Sequence, residues 1–180
     1  SHKLVIKCIE NDIAIIFCDK KHSPLTQLIS SYGMTHRLQR IQSQFQLSGR
    51  TRDRIWKKIV VNKIINQSKC LENNLHNENV KLLVNLAKDV SSGDKSNKEA
   101  QAARIYFKDL YGKQFKRGRY NDIINSGLNY GYSILRSFIK KELALHGFEM
   151  SLGIKHRSKE NPFNLADDII EVFRPFVDNI

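Results

Sequence analysis

From residue 34 onward, apolar residues recur at spacings of three and four, a period that predicts a succession of amphipathic helices. Met34 to Leu47 places Leu38, Ile41 and Phe45, with Met34, on one face, until Ser48 and Gly49 interrupt it. Thr51 to Lys69 continues with Ile55, Trp56, Ile59, Val60, Ile64 and Ile65, and Asn77 to Val90 with Val80, Leu83, Val84 and Ala87. Ser96 or Asn97 stands ready to cap a further helix, NKEAQAARIYFKDLYG, in which Ala100, Ala102 and Ala103 permit close approach. The longest segment, Asn121 to His146, is apolar on several sides through Ile124, Leu128, Tyr132, Leu135, Phe138, Ile139 and Leu143, and is expected to be the central core helix. Gly127 and Gly131 inside it cost about 1 kcal/mol each relative to Ala, which implies that another backbone packs closely there. Gly147 stops this helix, and a last one follows Asn164 with Leu165, Ile169, Ile170, Val172 and Phe173.

The first 33 residues carry a different pattern. Ser1 can cap a short helix over His2 to Glu10, and the β-branched run Ile13 to Cys18 reads as a buried strand. The cluster DKKHSP, ending at Pro24, reads as a loop, and Gly33 as a boundary. The fold class is therefore mainly α: residues 1–33 are the C-terminal remnant of a β-containing N-terminal domain, and residues 34–180 form a helical domain. The chain starts without a methionine and stops just after a helix, so a fragment of a longer protein is expected.

Charge adds the first functional constraint. Thirty Lys and Arg against 18 Asp and Glu give a net charge of +12, which favours a polyanionic partner, nucleic acid first and an anionic membrane surface second. No apolar run approaches the roughly 20 residues that span a bilayer, and the opening SHKLVIKCIE lacks the layout of a secretory signal. Cys8, Cys18 and Cys70 form no CxxC pair and fit reduced cytosolic thiols. The start of the second helix is strongly basic, with Arg50, Arg52, Arg54, Lys57 and Lys58 opposed by Asp53 alone. Such a run is either a solvated face or a phosphate-contacting surface. Lys113 to Arg119, KQFKRGR, is a second basic loop in which Phe115 precedes Lys116 and Arg117, and an aromatic ring there can stack on a base.

Candidate chemistry narrows to four residues, since no Gly-rich phosphate loop, HExxH helix or GxSxG elbow is present. Asn164 is a natural N-cap, and Asp167, Asp168 and Glu171 lie near the positive end of the last helix, but capping accounts for only one or two acids. Asp168 and Glu171, as i and i+3, share a face, and their repulsion is relieved if a cation lies between them. Glu99, His156, Asp168 and Glu171 together would suit Mg²⁺ or Mn²⁺ and a metal-assisted phosphoryl transfer. On spacing alone, the alternative is a surface histidine beside helix-capping acids. Asp167 is expected mainly to serve the helix terminus.

Four motifs then stand in order: Glu-Ala-x-Ala-Ala-Arg-x-Tyr-Phe at Glu99 to Phe107, Asn-Asp-x-x-Asn-x-x-Leu-Asn-Tyr-Gly-Tyr at Asn121 to Tyr132, Gly-x-x-His at Gly153 to His156, and Asn-Leu-Ala-Asp-Asp-x-x-Glu-x-Phe-Arg-Pro at Asn164 to Pro175. This series resembles the "Cas-one" family, the CRISPR-associated endonuclease and integrase of spacer acquisition, in the variant that accompanies type II systems. The resemblance implies a β-rich N-terminal domain followed by a helical catalytic domain, here truncated at its C-terminal end. It implies a divalent metal (Mg²⁺ or Mn²⁺) held by Glu99, His156 and Glu171, with Asp168 as the supporting acid. It implies attack of a DNA 3′-hydroxyl on a phosphodiester at the repeat boundary, hydrolysis when water replaces the hydroxyl, and a cytoplasmic homodimer that binds double-stranded DNA and joins the small subunit "Cas-two". Arg50, Arg52, Arg54, Lys57, Lys58, Lys116 and Arg117 become candidate DNA contacts. One departure is that many relatives carry two histidines where this chain has Lys155 and His156. The rival class is a non-catalytic basic helical module that only binds nucleic acid.

Overall fold

Helix α3, Gly49–Asn73, is the axis of the molecule. It starts at Ser48, whose extended backbone leaves its hydroxyl free to accept from the Thr51 N–H at 3.2 Å. Along its 25 residues it buries Trp56, Ile59, Val60, Ile64, Cys70 and Leu71. Around it pack α4 (Val80–Lys88), a 3₁₀ turn (Ser92–Asp94), α5 (Lys98–Tyr111) and α7 (Asn164–Val177). Val60, Ile64, Leu71 and Leu83 are fully enclosed in this cluster, each burial worth about 1.5–3 kcal/mol. The computed structural model describes residues 1–11, 13, 15–18, 24–28, 37–74, 76, 78–118, 120 and 122–179.

The central role expected of Asn121 to His146 is thus corrected. Helix α6 (Ile123–Leu145) buries Leu128, Tyr132 and Ile139 against α7 but leaves Ile123 89% and Phe138 54% exposed. It is apolar on several sides, but α7 covers the side that becomes core. Gly131 admits α7 closely, because a Cβ there would run into Cγ1 of Val177; what approaches is a side chain, not a backbone. Gly127 has nothing within 4 Å of the same position, so its half of the expectation fails. Helix α7 lies between two clusters: Leu165 joins the one around α3, while Ala166 and Ile170 join the one built on α6. Its polar face is thereby carried into the interior.

The start of α5 also differs from expectation. Asn97 precedes the helix in a left-handed conformation (φ 53°) and makes no side-chain cap bond. Asp94 does the capping instead, its two oxygens accepting from the N–H groups of Lys98 (2.8 Å) and Glu99 (3.1 Å). The turn leading to it needs Gly93 (φ +73°), where a Cβ would also press on the Asp53 carboxylate at 2.9 Å. Glu99 is fixed by this turn through its own backbone.

At the N-terminal end, α1 (His2–Glu10) forms as expected but buries no residue. Strand β1 (Ile15–Cys18) pairs antiparallel with β2 (Pro24–Leu28), with Ile15 opposite Leu28 and Phe17 opposite Thr26. The second strand was not expected, since PLTQL starts with proline and has little apolar pattern. Gly33, the expected boundary, and Met34 lie outside the described residues. Helix α2 (Arg37–Phe45) leaves Leu38 and Phe45 exposed. It buries Gln44, whose amide donates to the Glu149 carbonyl and accepts from the Glu149 N–H, both at 2.9 Å.

Candidate active site

The loop before α7 is shaped by side chains of the helix that follows it. Asn164, expected as the N-cap, is instead the first helical residue, preceded by Phe163. Its side chain ties the loop together, donating to the carbonyls of Ser151 (3.1 Å) and Ser158 (2.9 Å) and accepting from the Ser158 N–H (3.2 Å). Asp167 lies in the first turn as expected, but it also links two helices. Arg136 of α6 donates to both of its oxygens, at 2.5 and 2.9 Å, and Asn161 to one at 2.6 Å. Burial pushes the Asp167 carboxyl up, but the Arg136 and Asn161 bonds outweigh it and hold the carboxyl below its ordinary range.

Asp168 is fully buried and fully engaged. One oxygen accepts from the N–H groups of Ile154 (2.5 Å) and Lys155 (3.1 Å). The other accepts from the His156 N–H (3.1 Å) and bonds its Nδ1 at 2.8 Å. The backbone can fold back this tightly only at Gly153, where a Cβ would collide with the His156 carbonyl and stand 2.8 Å from Cβ of Asn164 and 3.0 Å from the Asp168 carboxylate. His156 is set edge-on to Trp56, with ring centroids 6.3 Å apart. Its pKa is raised, first by the bond to Asp168, against partial burial. With Nδ1 held by a carboxylate, Nε2 is the nitrogen left to ligate.

Glu171, almost one turn further along α7, faces a different partner set. Lys63 of α3 places its ammonium 2.5 Å from Oε2 of Glu171 and 2.6 Å from Oε1 of Glu99. Arg174 covers the other Glu171 oxygen at 2.8 Å. Burial alone would raise the Glu171 pKa, but Lys63 and Arg174 bring it below its ordinary value. Burial likewise opposes the charge on Lys63, and the two glutamates overcome it and raise its pKa. The like charges of Asp168 and Glu171 on one face are thus answered separately, by the loop amides and His156 for one and by Lys63 and Arg174 for the other.

Lys63, which is not one of the basic residues at the start of the helix, is the group that joins the two glutamates. Its signal lies in the spacing: Ile59, Lys63 and Gln67 are four apart, and Ile59 and Gln67 are buried, so a lysine occupies a core-facing position. The pair of glutamates opens onto a cleft of about 420 Å³ lined also by Arg117, Arg174, Asn129 and Tyr132. The Tyr132 ring has the guanidinium of Arg174 4.5 Å and that of Arg117 5.0 Å from its centre.

The structure thus brings Glu99 and Glu171 together and pairs His156 with Asp168. Among the described residues, no three His, Cys, Asp or Glu side chains are grouped so as to hold one ion. The residues nonetheless fit a divalent metal in their chemistry. Two carboxylates from different helices already converge on a single positive centre, and the His156 imidazole, paired with Asp168, has its other nitrogen fixed by a buried acid.

Of the basic residues, Arg50, Arg54 and Lys58 are exposed at intervals of four on α3 and form one face, while Arg52 and Lys57 are half-buried. Arg52 lines a second cleft, about 600 Å³, with Arg157 and Lys159 of the loop after His156. These last two were overlooked in the sequence. Lys116 is exposed. Arg117 donates to the Gly118 carbonyl (2.7 Å) and to the side chains of Asn125 (2.9 Å) and Asn129 (2.7 Å), which ties it to α6. Phe115 packs against Tyr111 and Phe107, at 4.8 and 5.8 Å between centroids, so it belongs to an aromatic cluster and not to an open base-stacking surface. No helix among the described residues is long and apolar enough to cross a membrane.

Known proteins resemble this chain in sequence and in fold. The family model described as "CRISPR associated protein Cas1" matches residues 1–180. A CRISPR-associated endonuclease Cas1 of Neisseria meningitidis is 39% identical over 170 residues, covering 94% of this chain and 55% of the relative. The chain therefore spans about half the length of that protein. Among solved structures, a casposase bound to integration product superposes with a TM-score of 0.80 at 22% identity, over 99% of this chain and 55% of the other. A partial Cas6-RT-Cas1–Cas2 complex gives 0.68 at 22% identity, over 98% of this chain and 59% of the other. At these identities the structural likeness establishes the fold.

Proposed function

The chain belongs to the Cas1 family of CRISPR-associated proteins, and from that premise we propose that it is the catalytic part of a divalent-metal-dependent DNA endonuclease and integrase of spacer acquisition. The observation that carries this reading is the meeting of Glu99 and Glu171 around one cation beside a cleft bearing Arg117 and Arg174. Glu99, Glu171 and Nε2 of His156 would hold Mg²⁺ or Mn²⁺. The bound ion would supply Lewis-acid polarisation of a phosphodiester and an activated water or hydroxyl.

The chain's own residues do the rest. Asp168 keeps the imidazole in the tautomer that presents Nε2 and fixes the loop that carries it. Arg174 holds Glu171 ionised and lines the cleft, where its guanidinium and that of Arg117 can meet phosphate oxygens. The Arg50, Arg54 and Lys58 face and the Arg52, Arg157 and Lys159 cleft offer a longer path for double-stranded DNA. When a DNA 3′-hydroxyl is the nucleophile the outcome is strand transfer; when water is, the outcome is cleavage. Assembly as a cytoplasmic homodimer with a Cas2 subunit belongs to the same reading, and its Cas2 part is supported by the likeness to a Cas6-RT-Cas1–Cas2 complex.

The test is Mn²⁺-dependent cleavage and strand transfer of a labelled repeat-containing duplex by the full-length protein. Glu99→Gln, Glu171→Gln and His156→Ala should each lower turnover by at least about 100-fold while leaving DNA binding nearly intact. Full activity in any of them would refute that residue's assignment. Salt-sensitive binding without cleavage under any metal would favour the non-catalytic module.

A further inference from the structure

Lys63 presents a problem that the metal-bound reading must resolve. Its ammonium touches the oxygens of Glu99 and Glu171 that would bind the ion, at 2.6 and 2.5 Å, and its side chain is only 12% exposed. With Arg174 on the remaining Glu171 oxygen, two negative charges face two positive ones. The site is electrically balanced as it stands. An added divalent ion would need ligand distances of about 2.0–2.1 Å, for Mg²⁺, from the same oxygens. Ammonium and metal would then be neighbours in a largely enclosed place, with an excess of positive charge. Lysine differs from arginine here, because its charge is compact and its four-carbon stem can swing. The adjoining cleft, about 420 Å³ and lined by Lys63 itself, gives the stem somewhere to go.

We propose that Lys63 is the resident cation of the metal-free site, and that its ammonium and a divalent ion compete for the Glu99 and Glu171 pair. Lys63 keeps the two acids gathered while no metal is bound and yields its place when the ion enters. Metal affinity is thereby set below what the carboxylates alone would give. Removing the ammonium frees the ligands for metal at the expense of the metal-free fold.

This inference rests on the metal-dependent reading above, and the two fail differently. The experiment is calorimetric titration of Mn²⁺ into the wild-type chain, Lys63→Met and the Glu99→Gln/Glu171→Gln double variant, with thermal melts with and without Mn²⁺. Lys63→Met should melt lower than wild type without metal, bind Mn²⁺ at least fivefold more tightly, and gain more in Tm on Mn²⁺ addition. The double variant should lose the site. Equal or weaker Mn²⁺ affinity in Lys63→Met overturns the competition and leaves the metal reading standing. Absence of a glutamate-dependent Mn²⁺ site in both wild type and Lys63→Met overturns both. Should Lys63→Met not fold, Lys63→Arg decides: the guanidinium retains the charge but vacates less readily, so Mn²⁺ must bind no more tightly than to wild type, and tighter binding overturns the proposal.

Discussion

Asp168 grips His156 twice, accepting from its backbone N–H at 3.1 Å and from its ring Nδ1 at 2.8 Å. One buried carboxylate therefore sets both the path of the loop and the orientation of the imidazole. Its other oxygen serves two more N–H groups, so removing the acid strands several donors at once.

Asp168→Ala is accordingly expected to cost about 3 kcal/mol or more of folding free energy, since hydrogen bonds to a buried charge are worth about 1.5–3 kcal/mol. Asp168→Asn, which keeps one acceptor oxygen, should lose less. Urea unfolding of the two variants beside wild type measures both values; a loss below 1 kcal/mol for Asp168→Ala would contradict this role.

Asp178 gives the fold a pH dependence of its own. It is 1% exposed and accepts from the hydroxyls of Tyr106 (2.9 Å) and Tyr132. Burial pushes its pKa up from 3.8 to about 6, despite those hydrogen bonds. The folded protein thus holds this proton more tightly than the unfolded chain does. The stabilisation is complete below about pH 4 and is lost as pH rises through about 6. Asp178→Asn should remove that slope, a difference on the order of 3 kcal/mol across the window. Unfolding free energies at pH 4, 5, 6 and 7 test it, and parallel profiles for the two proteins would exclude it.

Gly131 and Val177 form a matched pair. Gly131→Ala favours the helix by about 1 kcal/mol in propensity but drives a methyl group into Val177. The single variant should lose about 1–3 kcal/mol through overpacking. Adding Val177→Ala should recover part of that loss, seen as a positive coupling in a double-mutant cycle of melting or urea data.

The exposed face of Arg50, Arg54 and Lys58 should act additively on DNA. Replacing all three with Gln is expected to lower the slope of log affinity against log salt by about 3, roughly one per phosphate contact. Fluorescence anisotropy with a non-specific duplex between 50 and 200 mM salt would show it. An unchanged slope would assign these residues to a merely solvated face.

Much of the helical layout was legible because helices with one strong apolar stripe announce themselves. Helix α7 has such a stripe, and α5 and α3 were found with ends shifted by a few residues. Periodicity could not tell which of several apolar faces becomes core, so α6 was given the place that α3 holds. It missed β2, whose pairing with β1 is a tertiary fact that PLTQL does not advertise. It misread α2, which attaches through the Gln44 amide and leaves its leucine and phenylalanine outside. In the site, the acids and the histidine were legible from the acidic helix start and from the family motifs. Their division of labour was not. That Asp168 is spent on amides, that Asp94 caps α5, and that Lys63 stands between Glu99 and Glu171 all depend on groups far apart in the chain.

The face of α7 has a final consequence for what kinds of change the protein can absorb. Asp168, Glu171 and Asp178 serve three separate partners, the His156 loop, Lys63 and the two tyrosines, from one rigid rod. Each residue of an α-helix turns it by about 100°. A single-residue insertion or deletion between Asp168 and Glu171 would rotate everything after it away from Lys63, Tyr106 and Tyr132 together, though no side chain were altered. Substitutions on this helix act one partner at a time; changes of length act on all of them, so over evolutionary time α7 should vary in letters but not in count.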